Sequence, residues 1–535
     1  MKERILDLME ATPGCMDRIE AMGLDRTGLS QILGAAGRLA DDLLVPLGAS
    51  ADAEGCGLVE GRVVTPKGYG AAYRRLGADG WIAPDLAPDV GGQGLPLAVQ
   101  AAANLAFEGA ATAFMMAAGA SRAAAHLLSE AAPELAASWA PKLASGAWTA
   151  TICISEPDAG SDVGRIRTRA VQDGERWRID GTKCWISFGD HDFADRIGHL
   201  LLARTGTAEE GTRGLSLFLV PNLAEGGGPN GISVERIEDK LGLHGSPTCV
   251  LRFEAARGVM LGAPGRGLPT LFGMIELMRL QVAGQGAGIA LRAAAVARAY
   301  AAERRQGGPA DRPPVPIADH ADVQRQLRGL DMRAAILVAL VLEVACALDD
   351  ARAGDEEAAA RAAFLLPLAK TFGGEMAFEA ASGALQVLGG AGYTREWPVE
   401  RYLRDARILT IYEGTTGMQA QDFLFRRLIR DRGAGLQALV ARLRAERKDA
   451  GPSEFHPAAE ALEARFGQLS AHLSTLGPES LQDLADVYLR AGWSFVSSAL
   501  CLRLTANAVS EDAVRDWLLR AEAQMHLAER QCGLK

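Results

Sequence analysis

Apolar residues recur at helical spacing through the first part of the chain, as in Ile32-Leu33-Gly34-Ala35-Ala36-Gly37-Arg38-Leu39-Ala40 and in the alanine-rich tract from Ala98 to Leu128. Residues 1–148 are therefore predicted to form an all-helical domain. Two turn-rich stretches, Ala53 to Pro66 and Pro84 to Pro96, interrupt it. Beyond 148 the period changes. Short β-favouring runs at 148–154, 199–203, 215–220 and 248–253 are separated by clusters of Gly, Pro, Asn and Asp. Successive strands without helices between them imply a small antiparallel β-barrel over 149–265, inserted between helical domains. Helical periodicity resumes near Leu268 and defines a domain over 266–432, broken at Gly307 to Pro316, where repeated prolines remove backbone donors. That break reads as a long connection between two antiparallel helices. Residues 433–535 return to leucine and alanine spacing, as at Leu436, Leu439, Leu443 and Leu500, Leu502, Leu504, and read as an appended helical domain. The expected fold class is mainly α with an inserted β-barrel.

A length of 535 residues exceeds one hydrophobic core and supports that division. The formal charge of -10 is spread along the chain, which argues against nucleic acid and anionic membranes as partners. The eight cysteines form no Cys-x-x-Cys pair and read as reduced, buried thiols. The charged amphipathic start, Met1 to Glu10, is no signal peptide, so the expected location is cytoplasmic. The most apolar run, Ile336 to Leu348, contains Glu343 and falls short of the ~20 residues that span a bilayer. It reads as a buried helix.

Candidate chemistry centres on Glu413, which follows Ile408, Leu409 and Ile411 and precedes Gly414-Thr415-Thr416-Gly417. A carboxylate in that setting is partly desolvated, its pKa rises toward neutrality, and it suits a general base; a glutamate merely ending an element beside a turn fits equally simple expectations. Ser155 to Asp162 is a small-residue turn after a strand, able to present N–H groups and hydroxyls to an anion or a polar ring edge, or simply a capped hairpin turn. Trp185 and Ser187 lie in a short β-run, where a tryptophan either covers a planar ligand or belongs to the core. Gly284-Gln285-Gly286-Ala287-Gly288 lies within a helical stretch with no strand before it, so close helix packing explains it better than nucleotide binding. No metal site is arguable from the scattered histidines.

The ordered series Ser155-Glu156-Pro157-Asp158-Ala159-Gly160-Ser161-Asp162, Lys183-Cys184-Trp185-Ile186-Ser187, Arg304-Arg305-Gln306-Gly307-Gly308, Gln386-Val387-Leu388-Gly389-Gly390, and Arg404-Asp405-Ala406-Arg407 leading into Tyr412-Glu413-Gly414-Thr415 resembles the acyl-CoA dehydrogenase family of flavoenzymes. Within it, the extended C-terminus and Gly-Thr-Thr-Gly-Met-Gln-Ala look most like the subgroup that contains 3-methylmercaptopropionyl-CoA dehydrogenase.

The resemblance implies an FAD enzyme that converts an acyl-CoA to the trans-2-enoyl-CoA, with 3-(methylthio)propanoyl-CoA or another short to medium acyl-CoA as substrate. It implies Glu413 as the base, its own N–H as a donor to the thioester, and Gly414 as the residue admitting the substrate to the backbone. Some relatives keep the base just before a family arginine, here Arg279, but that place holds Met278, which accepts no proton. Flavin contacts implied are Ile154, Ser155, Gly160, Ser161, Trp185, Ser187 and Thr415, with Arg304, Gln306, Gln386, Gly389 and Gly390 reaching a flavin across a subunit interface. Substrate contacts implied are Ser161, Arg279, His244 and Gly414. Phe188 stands where a smaller residue is expected, and Phe114-Met115-Met116 would suit a sulfur-containing tail or any core. An electron-transfer flavoprotein is the implied acceptor and a homodimer the favoured assembly, a tetramer being the other. The alternatives are an oxygen-using oxidase or monooxygenase on the same fold, and a non-catalytic helical scaffold.

Overall fold

The computed structural model describes residues 2–504 and 509–534. The chain divides into two compact units, one of Met1–Arg38, Pro96–Ala110 and Arg279–Lys535, the other of Leu39–Leu95 and Ala111–Met278. The first is helical and the second carries the sheet.

In the helical unit, Ala321–Arg352 and Glu356–Leu388 are the long central helices. Asp355 caps the second by accepting from the Ala358 N–H at 3.0 Å, with Glu356 and Glu357 in its first turn favoured by the helix dipole. Asp349 does the same for another helix, accepting from the N–H groups of Leu97 and Ala98 at 2.9 and 3.1 Å. Within the glycine series at 284–288, Gly286 and Gly288 serve helix packing as expected, whereas a Cβ on Gly284 would meet nothing within 4 Å. A Cβ on Gly286 would lie 2.0 Å from the Gly373 carbonyl oxygen, and one on Gly288 would lie 2.6 Å from the Gly109 nitrogen. The apolar run 336–348 is buried helix, and its one acid, Glu343, is met by Arg503 at 2.8 Å and by Arg361 and Arg442 at 3.3 Å.

The extension is helical over Ala434–Ala450, His456–Leu473, Ala485–Cys501 and Glu511–Gln531. It does not hang free. Trp493 stacks on Phe372 at 4.6 Å between ring centroids, and Arg490 bridges Glu375 at 3.0 Å, both against Glu356–Leu388. The expected periodicity stops early there, because the helix carrying Leu500 ends at Cys501 and Leu502 and Leu504 lie in a turn.

In the second unit the forecast strands form, but the sheet is not purely antiparallel. Trp148–Cys153 pairs parallel with Arg196–Arg204, which pairs antiparallel with Leu215–Pro221. Arg176–Ser187 pairs antiparallel with Arg169–Asp173 and with Thr248–Leu261, which also pairs with Leu215–Pro221 and Ile232–Ile237. Two strands of this sheet, Arg169–Asp173 and Ile232–Ile237, escaped the sequence reading because they are short, exposed or half-buried along most of their length, and interrupted by charge. Local alternation reports which face a residue takes and cannot report a parallel partner far along the chain. A small hairpin, Gly57–Val59 with Arg62–Val64, occupies the first of the two turn-rich stretches. The second is anchored by Asp85, whose carboxylate receives Arg122 at 2.6 Å and His126 at 2.8 Å.

Candidate active site

Glu413 sits in a turn between the short helical stretch Ile408–Thr410 and helix Thr416–Gln421, with φ 54°, in the left-handed region. A non-glycine residue there carries strain of about 1–3 kcal/mol, so something must hold it. Gln419 donates Nε2–H to the Glu413 carbonyl at 3.0 Å, and Lys370 donates to the next carbonyl, Gly414, at 2.6 Å. Among the described residues nothing accepts from the Glu413 N–H. Gly414 has φ 93°, which favours glycine, and a Cβ on it would lie 2.8 Å from Gln419 Nε2 and press on the tip of that side chain. Burial raises the Glu413 pKa, and Arg279 and Lys370 oppose the rise without cancelling it. The shift has the direction expected of a general base.

Arg279 pairs with Asp422 at 2.9 Å, while its buried Nε has no hydrogen-bond partner among the described residues. Met278, one residue earlier, is buried. Thr415 caps the following helix, accepting from the Met418 N–H at 3.4 Å.

Lys370 is a functional candidate that the sequence reading missed. Its side chain is wholly buried on Glu356–Leu388, and burial pulls its pKa down to about 7 although Glu413 works to raise it. A signal existed: it is the one charged side chain between Arg361 and Glu375 in an otherwise apolar helix. Also missed was the polar chain beside Tyr412. The Tyr412 hydroxyl donates to Gln285, and Glu108 receives Gln281 at 2.8 Å and Asn104 at 3.3 Å. Burial pushes Glu108 up to about 8 against those donors and against Gln285, and Tyr412 rises well above the usual phenol value.

In the sheet unit, the segment from Ile154 to Ser161 and the segment from Trp185 to Ser187 are brought together. The Cys184 N–H donates to the Ser155 carbonyl at 3.0 Å, and the Thr151 hydroxyl to the Ser187 carbonyl at 2.8 Å. Beneath them lies a buried ion pair. Lys183 Nζ donates to the Ile154 carbonyl at 2.9 Å and to Glu156 at 2.8 Å, and Glu156 also accepts the N–H groups of Arg167 and Thr168. Trp185 is not core: it is 61% exposed with φ 64°. Gly160 faces open space and Ser161 is exposed. An uncovered indole beside small hydroxyl residues fits a planar ring with a polar edge. Phe188, also at positive φ, is buried. His244 faces the Lys240 carbonyl at 2.9 Å and Asp52 at 3.2 Å, so both ring nitrogens are engaged within the unit.

Arg304 and Gln306 are exposed at the neck of the proline-rich connection, which is closed by the Gln306 N–H donating to the Val315 carbonyl at 2.9 Å. Gln386, Gly389 and Gly390 are exposed where Glu356–Leu388 ends, Gly389 with φ 62°. Tyr300 and Trp397, near these two groups, meet edge to face at 5.1 Å. Among the described residues no His, Cys, Asp and Glu are grouped as a metal site.

Residues 265–428 match the family model described as acyl-CoA dehydrogenase, C-terminal domain, and residues 151–256 match that of the acyl-CoA dehydrogenase middle domain. The 3-methylmercaptopropionyl-CoA dehydrogenase of Ruegeria pomeroyi is 41% identical over 413 residues, covering 74% of this chain and 70% of that protein. The broad-specificity linear acyl-CoA dehydrogenase FadE5 of Mycobacterium tuberculosis is 33% identical over 501 residues, covering 88% and 80%. The structure of Caenorhabditis elegans ACDH-11 in complex with C11-CoA superposes with a TM-score of 0.78 over 93% of this chain and 87% of that one, at 22% identity, a likeness of fold.

Proposed function

This chain belongs to the acyl-CoA dehydrogenase family, and from that premise we propose that Glu413 is the base of its reaction. The reaction is the α,β-dehydrogenation of an acyl-CoA thioester. The cofactor is FAD, which when bound supplies the acceptor for the β-hydrogen. The protein's part is to remove the α-proton and polarise the thioester carbonyl. The Glu413 carboxylate takes the proton, and its N–H, which no other described group engages, donates to the carbonyl. Arg279, whose Nε has no hydrogen-bond partner among the described residues, would support substrate and base from the same unit. The observation that carries this reading is the strained, held and desolvated position of Glu413, a combination that a glutamate merely closing a turn does not need.

For the cofactor, Ile154, Ser155, Gly160, Ser161, Trp185 and Ser187 would meet the ring and its polar edge, Thr415 would add a hydroxyl, and Arg304, Gln306, Gln386, Gly389 and Gly390 would take phosphates and adenosine of a flavin in a partner subunit. The guanidinium fork of Arg304 suits phosphate. His244 and Ser161 would border the substrate. On that arrangement the assembly is at least a dimer, and the sheet is read as a barrel within the four-part division 1–148, 149–265, 266–432 and 433–535. The substrate is a short to medium acyl-CoA, 3-(methylthio)propanoyl-CoA foremost, the acceptor an electron-transfer flavoprotein, and the location cytoplasmic. No described helix is long and apolar enough to cross a membrane.

The test is anaerobic titration of the purified flavoprotein with methylthiopropanoyl-CoA and with straight-chain and branched acyl-CoAs. Wild type should bleach with one class, faster as pH rises through the elevated Glu413 pKa, because the base must be ionised. Glu413→Gln should not bleach. A Gln variant that bleaches at the wild-type rate removes Glu413 from the mechanism.

A further inference from the structure

We propose that Lys370 is a positioning residue for dehydrogenation, which together with Gln419 holds the Glu413–Gly414 peptides in the left-handed turn and sets a positive charge beside the base. The proposal rests on the reading of Glu413 as base and deepens it.

Lys370 projects from the middle of Glu356–Leu388, where it is wholly buried, and donates a hydrogen bond at 2.6 Å to the Gly414 carbonyl. A buried ammonium normally finds a carboxylate partner. Lys370 instead braces backbone, and the brace falls on the Gly414–Thr415 peptide. Gln419 braces the peptide before it, through the Glu413 carbonyl at 3.0 Å. Two donors from two different helices thus hold the two successive peptides on the carboxyl side of Glu413, and its N–H, in the peptide before them, has no acceptor among the described residues. Moving either brace lets the turn relax toward an ordinary conformation and misdirects both the carboxylate and the N–H.

The groups whose charge bears on Lys370 are Glu413, which favours its protonated form, and Arg279, which opposes it; Arg279 is itself tied to Asp422, whose other carboxylate oxygen meets Arg426 and Arg427. Burial against these brings Lys370 to about 7. Either protonation state has N–H to give the Gly414 carbonyl, so the brace survives deprotonation and only the charge is lost. As pH rises past neutrality the ammonium that helps keep Glu413 ionised disappears.

The experiment uses holoenzyme with Lys370→Met and Lys370→Gln beside Glu413→Gln. Lys370→Met, which removes brace and charge, should slow anaerobic flavin reduction at pH 7 by about ten- to hundredfold. It should also move the acid limb of the reduction rate alkaline by about one pH unit, an opposite charge having been taken from the base. Lys370→Gln, with an amide donor and no charge, should show the same shifted limb with a smaller loss of rate. The independent readout is NMR of the lysine side chains in 13C,15N-lysine-labelled holoenzyme, where one signal absent from both Lys370 variants should titrate near neutral pH. A reduction rate and pH profile like wild type in both variants, or an Lys370 signal that is already that of the neutral amine at pH 6, overturns the proposal. If Glu413→Gln is inert while the Lys370 variants behave as wild type, the proposal fails and the base reading stands. If Glu413→Gln reduces normally, the base reading fails and takes the proposal with it.

Discussion

Lys183 and Lys370 are both wholly buried, and both give a hydrogen bond to a backbone carbonyl beside a motif of the proposed site. They differ in what balances the charge. Lys183 has a carboxylate at 2.8 Å, and although burial works to raise the Glu156 pKa, the ammonium and the N–H groups of Arg167 and Thr168 hold it below the usual range. Burial lowers Lys183 as well, but an acceptor-saturated Glu156 against its ammonium describes a charged pair. Among the described residues Lys370 has only a carbonyl in hydrogen-bond contact, with Glu413 acting through space and Arg279 opposing. The first lysine is an ion-paired strut, and the second is a cation held by a carbonyl, with its pKa drawn by burial toward neutrality. The partner at the tip, rather than the depth of burial, separates the two.

The largest effect that would sharpen this contrast is at the strut. Lys183→Met leaves Glu156 buried without its cation, and breaking a buried pair from one side costs about 3–5 kcal/mol. Chemical denaturation should show that loss, and adding Glu156→Gln should recover part of it, since the double variant buries no orphan charge. A Lys183→Met protein as stable as wild type would mean the pair contributes nothing and that the two lysines differ in name alone.

Why the sequence disclosed one half of this comparison better than the other follows from the residues. Glu413, Arg304, Gln386 and the turn at Ser155 to Asp162 lie on exposed or irregular backbone, where side-chain identity and glycine placement leave a local signature. Lys370 lies within a regular helix, and its importance comes from Gly414, a residue far along the chain. The exposure of Trp185 was equally hidden, because alternation places it in a strand while its positive φ turns it out of the regular pleat. Helical regions and the insertion of a sheet were legible from period alone; the parallel pairing of Trp148–Cys153 with Arg196–Arg204 was not, since it depends on contacts between segments that carry no mark of one another.

A smaller effect tests whether the titrating lysine braces a turn that truly needs bracing. Gly414→Ala puts a Cβ at φ 93° and 2.8 Å from Gln419 Nε2, so it strains the turn and displaces one of the two braces at once. The strain is about 1–3 kcal/mol, and flavin reduction by acyl-CoA should fall by roughly tenfold or more. The Ile154 carbonyl, held by Lys183 at the end of an ordinary strand, has no such dependence on a left-handed neighbour. Reduction at the wild-type rate in Gly414→Ala would show that the turn tolerates relaxation, and would weaken the case for Lys370 as its brace.

The smallest effect separates the two lysines by pH alone. A lysine lowered from 10.5 to about 7 on folding binds fewer protons in the native state than in the unfolded state between those values. Stability therefore rises with pH across that window, and below it the full burden of the buried charge remains. Lys370→Met has no group to titrate there, so the stability of wild type relative to this variant should improve with pH by about 1 kcal/mol per unit between pH 7.5 and 9. Lys183 is compensated by Glu156 and should contribute a weaker slope, because deprotonating it would strand the carboxylate it neutralises. Denaturation midpoints of wild type and Lys370→Met measured across that range, in one buffer of fixed ionic strength, give the slope directly. A difference that stays flat means that Lys370 keeps its proton in the folded protein, and the two lysines are then charged struts alike.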